Sequence, residues 1–220
     1  MSDPAEAIAG CRAAHRRLFA TIRSIDEATV RRPSRLPGWT VGHLLTHLAR
    51  NADSHVRLLL AAERGEAVEQ YAGGVEARAA AIEAGSGRPR DALVTDVGQS
   101  AIDLEAVWET TSAVGWAGQG LARGNPWDCL DLPFLRWREV EVHHVDLGLG
   151  YEATDWPEDY VERELRIATA NLQDRVADPV QRRRLLAWLL DRGPQPALDL
   201  DGWQSGADDD RRRPTSPDAI

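Results

Sequence analysis

The stretch RWREVEVHHVDLGLG, residues 136–150, restricts the possible folds of this chain more than any other segment. Glu139 and His143 stand four residues apart, which on an α-helix puts them one turn apart on one face. A carboxylate and an imidazole placed in this way reach one divalent cation, and Zn²⁺ accepts N and O ligands of this kind. Two ligands do not hold a metal, so a second helix must bring another donor alongside. The best source is GWTVGHLLTHLARNADSH, residues 38–55, with His43 and His47 four apart and His55 two turns further on. A lone His on a bundle helix is more often a hydrogen-bonded structural residue than a ligand, so on spacing alone all three stay open. The run VEVHHVDL contains β-branched Val140, Val142 and Val145 and alternates briefly. Helix is favoured because the neighbouring segments are helical.

Taken in order, residues 4–24 form an amphipathic pattern with Ile8, Cys11, Ala14 or His15, Leu18 and Ile22 at spacings of three and four. His15 reads as a partly exposed structural residue. Residues 25–38 end in RRPSRLPG and make a connection. A second helix runs from Trp39 or Thr40 to Ala62, a short one over 75–84, and a third main helix over 89–111. Residues 112–131 read as an irregular connection, and a fourth main helix, 132–149, starts behind Asp131 and stops at Gly148 or Gly150. Two more helices are expected at 157–176 and 179–192, followed by a charged, Pro-containing tail expected to be disordered. The fold class is therefore all-α. The domain reading is a helical bundle over 1–155, a short helical extension over 156–203 and a tail over 204–220.

Charge narrows the partners. A formal net charge of −9 argues against a nucleic-acid backbone as the main ligand but leaves room for an anionic small molecule, which responds to local charge. Arg78, Arg88, Arg136 and Arg138 are candidate anion contacts, and nothing in the sequence ranks them. Asp53 and Asp146 are candidate acceptors that would orient ligand imidazoles. Trp39, after Pro-Gly at a helix start, reads as a core plug. Two cysteines, Cys11 and Cys129, share no metal or redox spacing. The N-terminus carries no signal-like apolar run and no segment reaches the length of a membrane span, so a cytoplasmic monomer or homodimer is expected.

The pair LPGWTVGHLLTHLARNADSHVRLL and RWREVEVHHVDLGLGY, with IEAGSGRPRDALVTDV between them, resembles the N-terminal domain of the mycothiol-dependent maleylpyruvate isomerase family. That family belongs to the DinB-like metal-binding four-helix bundles. The resemblance spans about residues 5–155. It implies a divalent metal, usually taken as zinc, held by His47, Glu139 and His143. It also implies mycothiol, the low-molecular-weight thiol of actinobacteria, as cofactor. A metal-activated thiolate would add to a cis-enedioyl acid, the bond that has become single would rotate, and expulsion of the thiol would leave the trans isomer. No protein nucleophile is required. Glu141 and His144 form a rival pair on another side of the same helix.

One departure stands out. Family members with the isomerase activity carry a C-terminal α/β domain, and residues 177–220 offer one helix, a short segment and a polar tail. That domain is read as truncated, and Arg182, Arg183, Arg184 and Arg192 as either substrate contacts or a solvated face. Two other readings follow: a mycothiol S-transferase with the same metal thiolate, or a non-catalytic metal- or ligand-binding bundle.

Overall fold

A helix that is buried on every side has to pair each of its charges inside the protein. Helix α7, Leu132–Asp146, is such a helix: Arg136, Arg138, Glu139, Glu141, His143 and His144 are all buried with Phe134, Trp137 and Val140. The computed structural model describes residues 4–170, 172, 176, 178–190 and 192–196. Three further long helices surround α7 or close the ring: α1, Pro4–Ile22; α3, Val41–Ala62; and α5, Arg90–Thr110. Helix α1 packs on α7 and α5, and α3 packs on α5 and α7, so the four make a four-helix bundle. Its interior is filled by Leu18, Ile22, Leu44, Leu45, Leu48, Leu58, Leu93, Leu104 and Trp137, all essentially without exposure. Burial of each such side chain contributes on the order of 1.5–3 kcal/mol.

Shorter elements fill the connections. Helix α2, Glu27–Val30, is capped by Asp26 and lies in the stretch expected to be a plain connection. Helix α4, Gly74–Ser86, leans on α3, and α6 is the single turn Ala113–Trp116. Strands β1, Gln119–Ala122, and β2, Asn125–Asp128, form an antiparallel hairpin where the sequence suggested irregular chain. Arg123 and Gly124 at its turn both have positive φ, 53° and 75°, the signature of a tight hairpin turn. The architecture is otherwise helical, as expected.

Helix starts follow local chemistry. Thr40 caps α3 by accepting from the His43 amide, and His43 Nδ1 accepts from the Thr40 amide at 3.2 Å. Asp131 makes no side-chain cap at α7, which instead continues from a 3₁₀ turn at Cys129–Asp131. The β-branched valines of α7 sit in helix, because burial on all sides outweighs their strand preference. Among the described residues no helix is long and apolar enough to cross a membrane.

The chain divides into two compact units, Met1–Trp156 and Pro157–Ile220. In the second, α8 is Glu158–Ala170 and α9 is Pro179–Leu189, capped by Asp178. Arg182, Arg183 and Arg184 on α9 are exposed, as on a solvated helix face. The tail 204–220 lies outside the described residues.

Two close approaches set helix spacing. A Cβ on Gly10 would lie 2.3 Å from the buried Trp137 ring, so α1 reaches α7 only through glycine. A Cβ on Gly42 would lie 2.3 Å from the Ser86 carbonyl oxygen, which fixes the end of α4 against α3. Gly10→Ala is expected to lower stability by about 1–3 kcal/mol through overpacking, read as a lower urea midpoint with an unchanged slope.

Candidate metal centre

Helices α3 and α7 bring His47, Glu139 and His143 together in the bundle interior, all three buried. One ligand atom from each can be chosen so that all lie within 4.8 Å of one another. The carboxylate is the hub: Glu139 Oε2 is 3.0 Å from His47 Nε2 and 3.5 Å from His143 Nε2. Tetrahedral ligands on bonds of about 2.0–2.1 Å stand roughly 3.3 Å apart, so these spacings suit a small divalent cation. The two imidazole rings meet edge to face at 4.7 Å.

Outer contacts orient both rings. His143 Nδ1 lies 2.9 Å from Asp146 Oδ2, one turn on along α7, so that nitrogen donates and Nε2 faces Glu139. Arg78 Nη2, from α4, is 3.0 Å from His47 Nδ1. A guanidinium only donates, so His47 Nδ1 accepts and its ring proton sits on Nε2, where it is given to Glu139. Trp39 is half-buried over the same group, stacked on His43 at 6.0 Å and edge-on to His47 at 5.7 Å. It walls the centre as well as plugging the core.

Electrostatics follow from burial. Burial pushes His47 down to about 4, against its hydrogen bond to Glu139. Burial would raise Glu139, but the facing imidazoles of His143 and His47 hold it well below the usual carboxylate range. Burial raises both thiols, Cys129 to about 11, so neither Cys11 nor Cys129 is a ready nucleophile.

The other expected residues divide clearly. Asp146 stands where an imidazole-orienting acceptor should. Asp53 does not: it is exposed and pairs with Arg50 at 2.9 Å, because six residues at 100° each turn it about 120° away from His47. Arg136 is in the core, donating to the Leu48 carbonyl and Asn51 at 2.8 Å and to His15 at 3.2 Å, so it is a structural cation and not a cofactor contact. Arg138 is buried over the Phe134 ring. Arg88 pairs with Asp96. His15, expected to be partly exposed, is buried and bonds Glu105 at 2.8 Å, because it continues the stripe of Cys11 and Leu18. His43 caps α3 and reaches Glu83. The rival pair is consumed elsewhere: Glu141 accepts from Arg17, Trp137 Nε1 and the Tyr151 hydroxyl, and His144 bonds Thr21 while stacking on Tyr151.

Residues 11–148 match the family model of the mycothiol maleylpyruvate isomerase N-terminal domain. The chain belongs to this family. A solved structure of the mycothiol-dependent maleylpyruvate isomerase is 29% identical, with a TM-score of 0.72 over 80% of this chain and 75% of that chain. A histidine-to-alanine mutant of it is 28% identical, with a TM-score of 0.73 over 81% of this chain and 76% of that one. The likeness therefore extends past the segment that the family model covers. None of the curated proteins compared with the chain matches it.

Acid sensitivity follows from the buried imidazoles. Burial holds His15, His47 and His144 at about 4 and His55 at about 3, below the ordinary 6.5. The unfolded chain then binds more protons between those values, so stability is full above about pH 6.5 and falls as pH drops toward 4. Urea midpoints of metal-free protein should decline across that window. A flat profile would contradict the buried neutral state of these rings.

Proposed function

We propose that the protein is a mycothiol-dependent metalloenzyme, most simply a cis–trans isomerase of the maleylpyruvate isomerase type, with His47, Glu139 and His143 as ligands of one divalent cation, zinc first. The observation that carries this is the convergence of two imidazole Nε2 atoms on one buried carboxylate oxygen at 3.0 and 3.5 Å, within a chain of this family. Two neutral nitrogen donors and one anionic oxygen leave a position for an exogenous ligand, as catalytic sites do. Bound there, the cation would lower the pKa of a cofactor thiol and present it as thiolate at neutral pH.

The chain's own groups hold and tune that site. Asp146 fixes the His143 ring with Nε2 inward. For Nε2 of His47 to bind the cation, the ring proton that it now gives to Glu139 must move to Nδ1, which requires Arg78 to turn away from that nitrogen. Trp39 lies edge-on to His47 at 5.7 Å. For the isomerisation, the bound thiol would supply a nucleophile that adds reversibly to the alkene of a cis-enedioyl acid and is later expelled, while His47, Glu139 and His143 would hold the cation that keeps it ionised. Nothing is consumed, which suits a site without a protein nucleophile. An S-transferase would share every residue named and omit the expulsion.

Metal content should be close to stoichiometric in the wild type and lost in His47→Ala and Glu139→Ala, with maleylpyruvate isomerisation dependent on mycothiol in the same preparations. Metal without isomerisation would move the activity to S-transfer, detected as loss of free thiol. A wild type that takes up no zinc after chelator-free purification would overturn the enzyme reading. Asp146→Ala should weaken metal binding by about 10–100-fold in competition with a chromophoric chelator, and Asp53→Ala should leave it unchanged.

A further inference from the structure

His47, Glu139 and His143 are 1%, 3% and 0% exposed, so nothing from solvent reaches them unless a neighbouring group moves. Asp146, Arg78 and Trp39 touch the two imidazoles from outside the cluster. Asp146 is hydrogen-bonded to His143, and Arg78 is buried and hydrogen-bonded to His47. Trp39 is held differently, because it meets His43 and His47 through ring contacts. It is also half-buried, so one part of the indole lies against those imidazoles while another part meets solvent.

The backbone beneath this indole is fixed. The Trp39 carbonyl accepts from the Ser34 amide at 2.8 Å and from the Ser34 hydroxyl at 2.9 Å, and the Trp39 amide donates to the Leu36 carbonyl at 3.1 Å. The Val41 amide donates to the Arg32 carbonyl at 3.0 Å, which closes the loop at its base. The same loop is moored to α7, where the Arg35 amide donates to the Asp146 carbonyl at 2.8 Å. Pro37 and Gly38, immediately before the indole, are exposed. A fixed backbone at the surface leaves rotation about the side-chain bonds as the motion open to Trp39. His43 gives the ring a firm rest, since its Nδ1 is engaged with Thr40 at 2.7 Å and its Nε2 with Glu83 at 3.2 Å. Ring stacking of this kind breaks and re-forms without unfolding the loop.

The geometry points to Trp39 as a side-chain gate: the indole rests on His43 and covers His47 when closed, and swings outward to admit a cation and its thiol ligand. The shielding of His47 stands with or without a cation, whereas the admission of a thiol rests on the metalloenzyme reading. A gate sets rates and not the equilibrium, because entering and leaving ligands pass the same side chain. Trp39 is then an access residue with no part in the chemistry.

The test has two parts, both on the full chain. Metal-free wild type, Trp39→Phe and Trp39→Ala are treated with diethyl pyrocarbonate, and the modified histidines are located by mass spectrometry. His47 should react about tenfold faster in Trp39→Ala, with Trp39→Phe in between, as when a local barrier to opening is removed. His15 and His55, buried elsewhere in the bundle, should not change. Zinc uptake and chelator-driven release, followed by stopped flow, should both quicken about tenfold in Trp39→Ala, with the dissociation constant kept within about threefold. Unchanged His47 reactivity, or an equal rise at His15 and His55, would overturn the gate. Faster release without faster uptake would overturn it as well, since that marks a residue that only holds the His47 ring. Failure of the metalloenzyme reading looks different: no zinc uptake in any of the three proteins, with His47 reactivity still dependent on Trp39.

Discussion

The carboxylate of Glu139, only 3% exposed, is the constraint that the interior is built around. An isolated charge at that depth is strongly unfavourable, and it is tolerated because positive and donor groups enclose it. His47 and His143 approach the same oxygen, Arg136 stands one turn earlier on α7 as a buried cation, and Arg78 backs His47 from outside. Removing any one of these leaves part of the carboxylate's charge uncompensated. The bundle therefore has to close with α3 and α7 in one register, and α4 has to lie close enough for its arginine to reach the imidazole. The glycine contact of Gly42 with the end of α4 serves that distance.

Much of this arrangement was legible in residues 136–150, because a helix period converts spacing directly into shared direction. Glu139, His143 and Asp146 follow that rule, and so do the ends of the four long helices to within a few residues. What escaped has identifiable causes. Asp53 follows His47 by six positions and points to another side of α3. His15 sits in the apolar stripe of α1, but its neighbours Arg16 and Arg17 disguise it. The hairpin at 119–128 turns through Arg123-Gly124, a pair without the Asn-Gly or Asp-Gly signal that marks such turns. Arg78 could not be ranked at all from sequence, since its role depends on where α4 docks, and a helix rich in Ala and Gly carries little patterning to say so.

Family membership and the geometry support each other at different levels. The match over residues 11–148 covers both helices that carry the ligands and the α4 segment between them. About a quarter of each related structure's length has no counterpart in the match.

Helix α7 has a second face, on which Glu141 holds Arg17, Trp137 and Tyr151 while its carbonyl accepts from Trp156 at 3.2 Å. Glu139 and Glu141 are two residues apart, so one rigid rod joins the face that meets His47 to the face that meets Arg17 and Tyr151. A small rotation of that rod would move both carboxylates together. The tyrosine and tryptophan clasp on the back of α7 therefore acts as a set screw for the front. Relatives could retune the geometry around a cation by changing residues that never approach it, and variation at positions 17, 137, 151 and 156 would then track changes in reactivity more closely than its distance from the cation suggests.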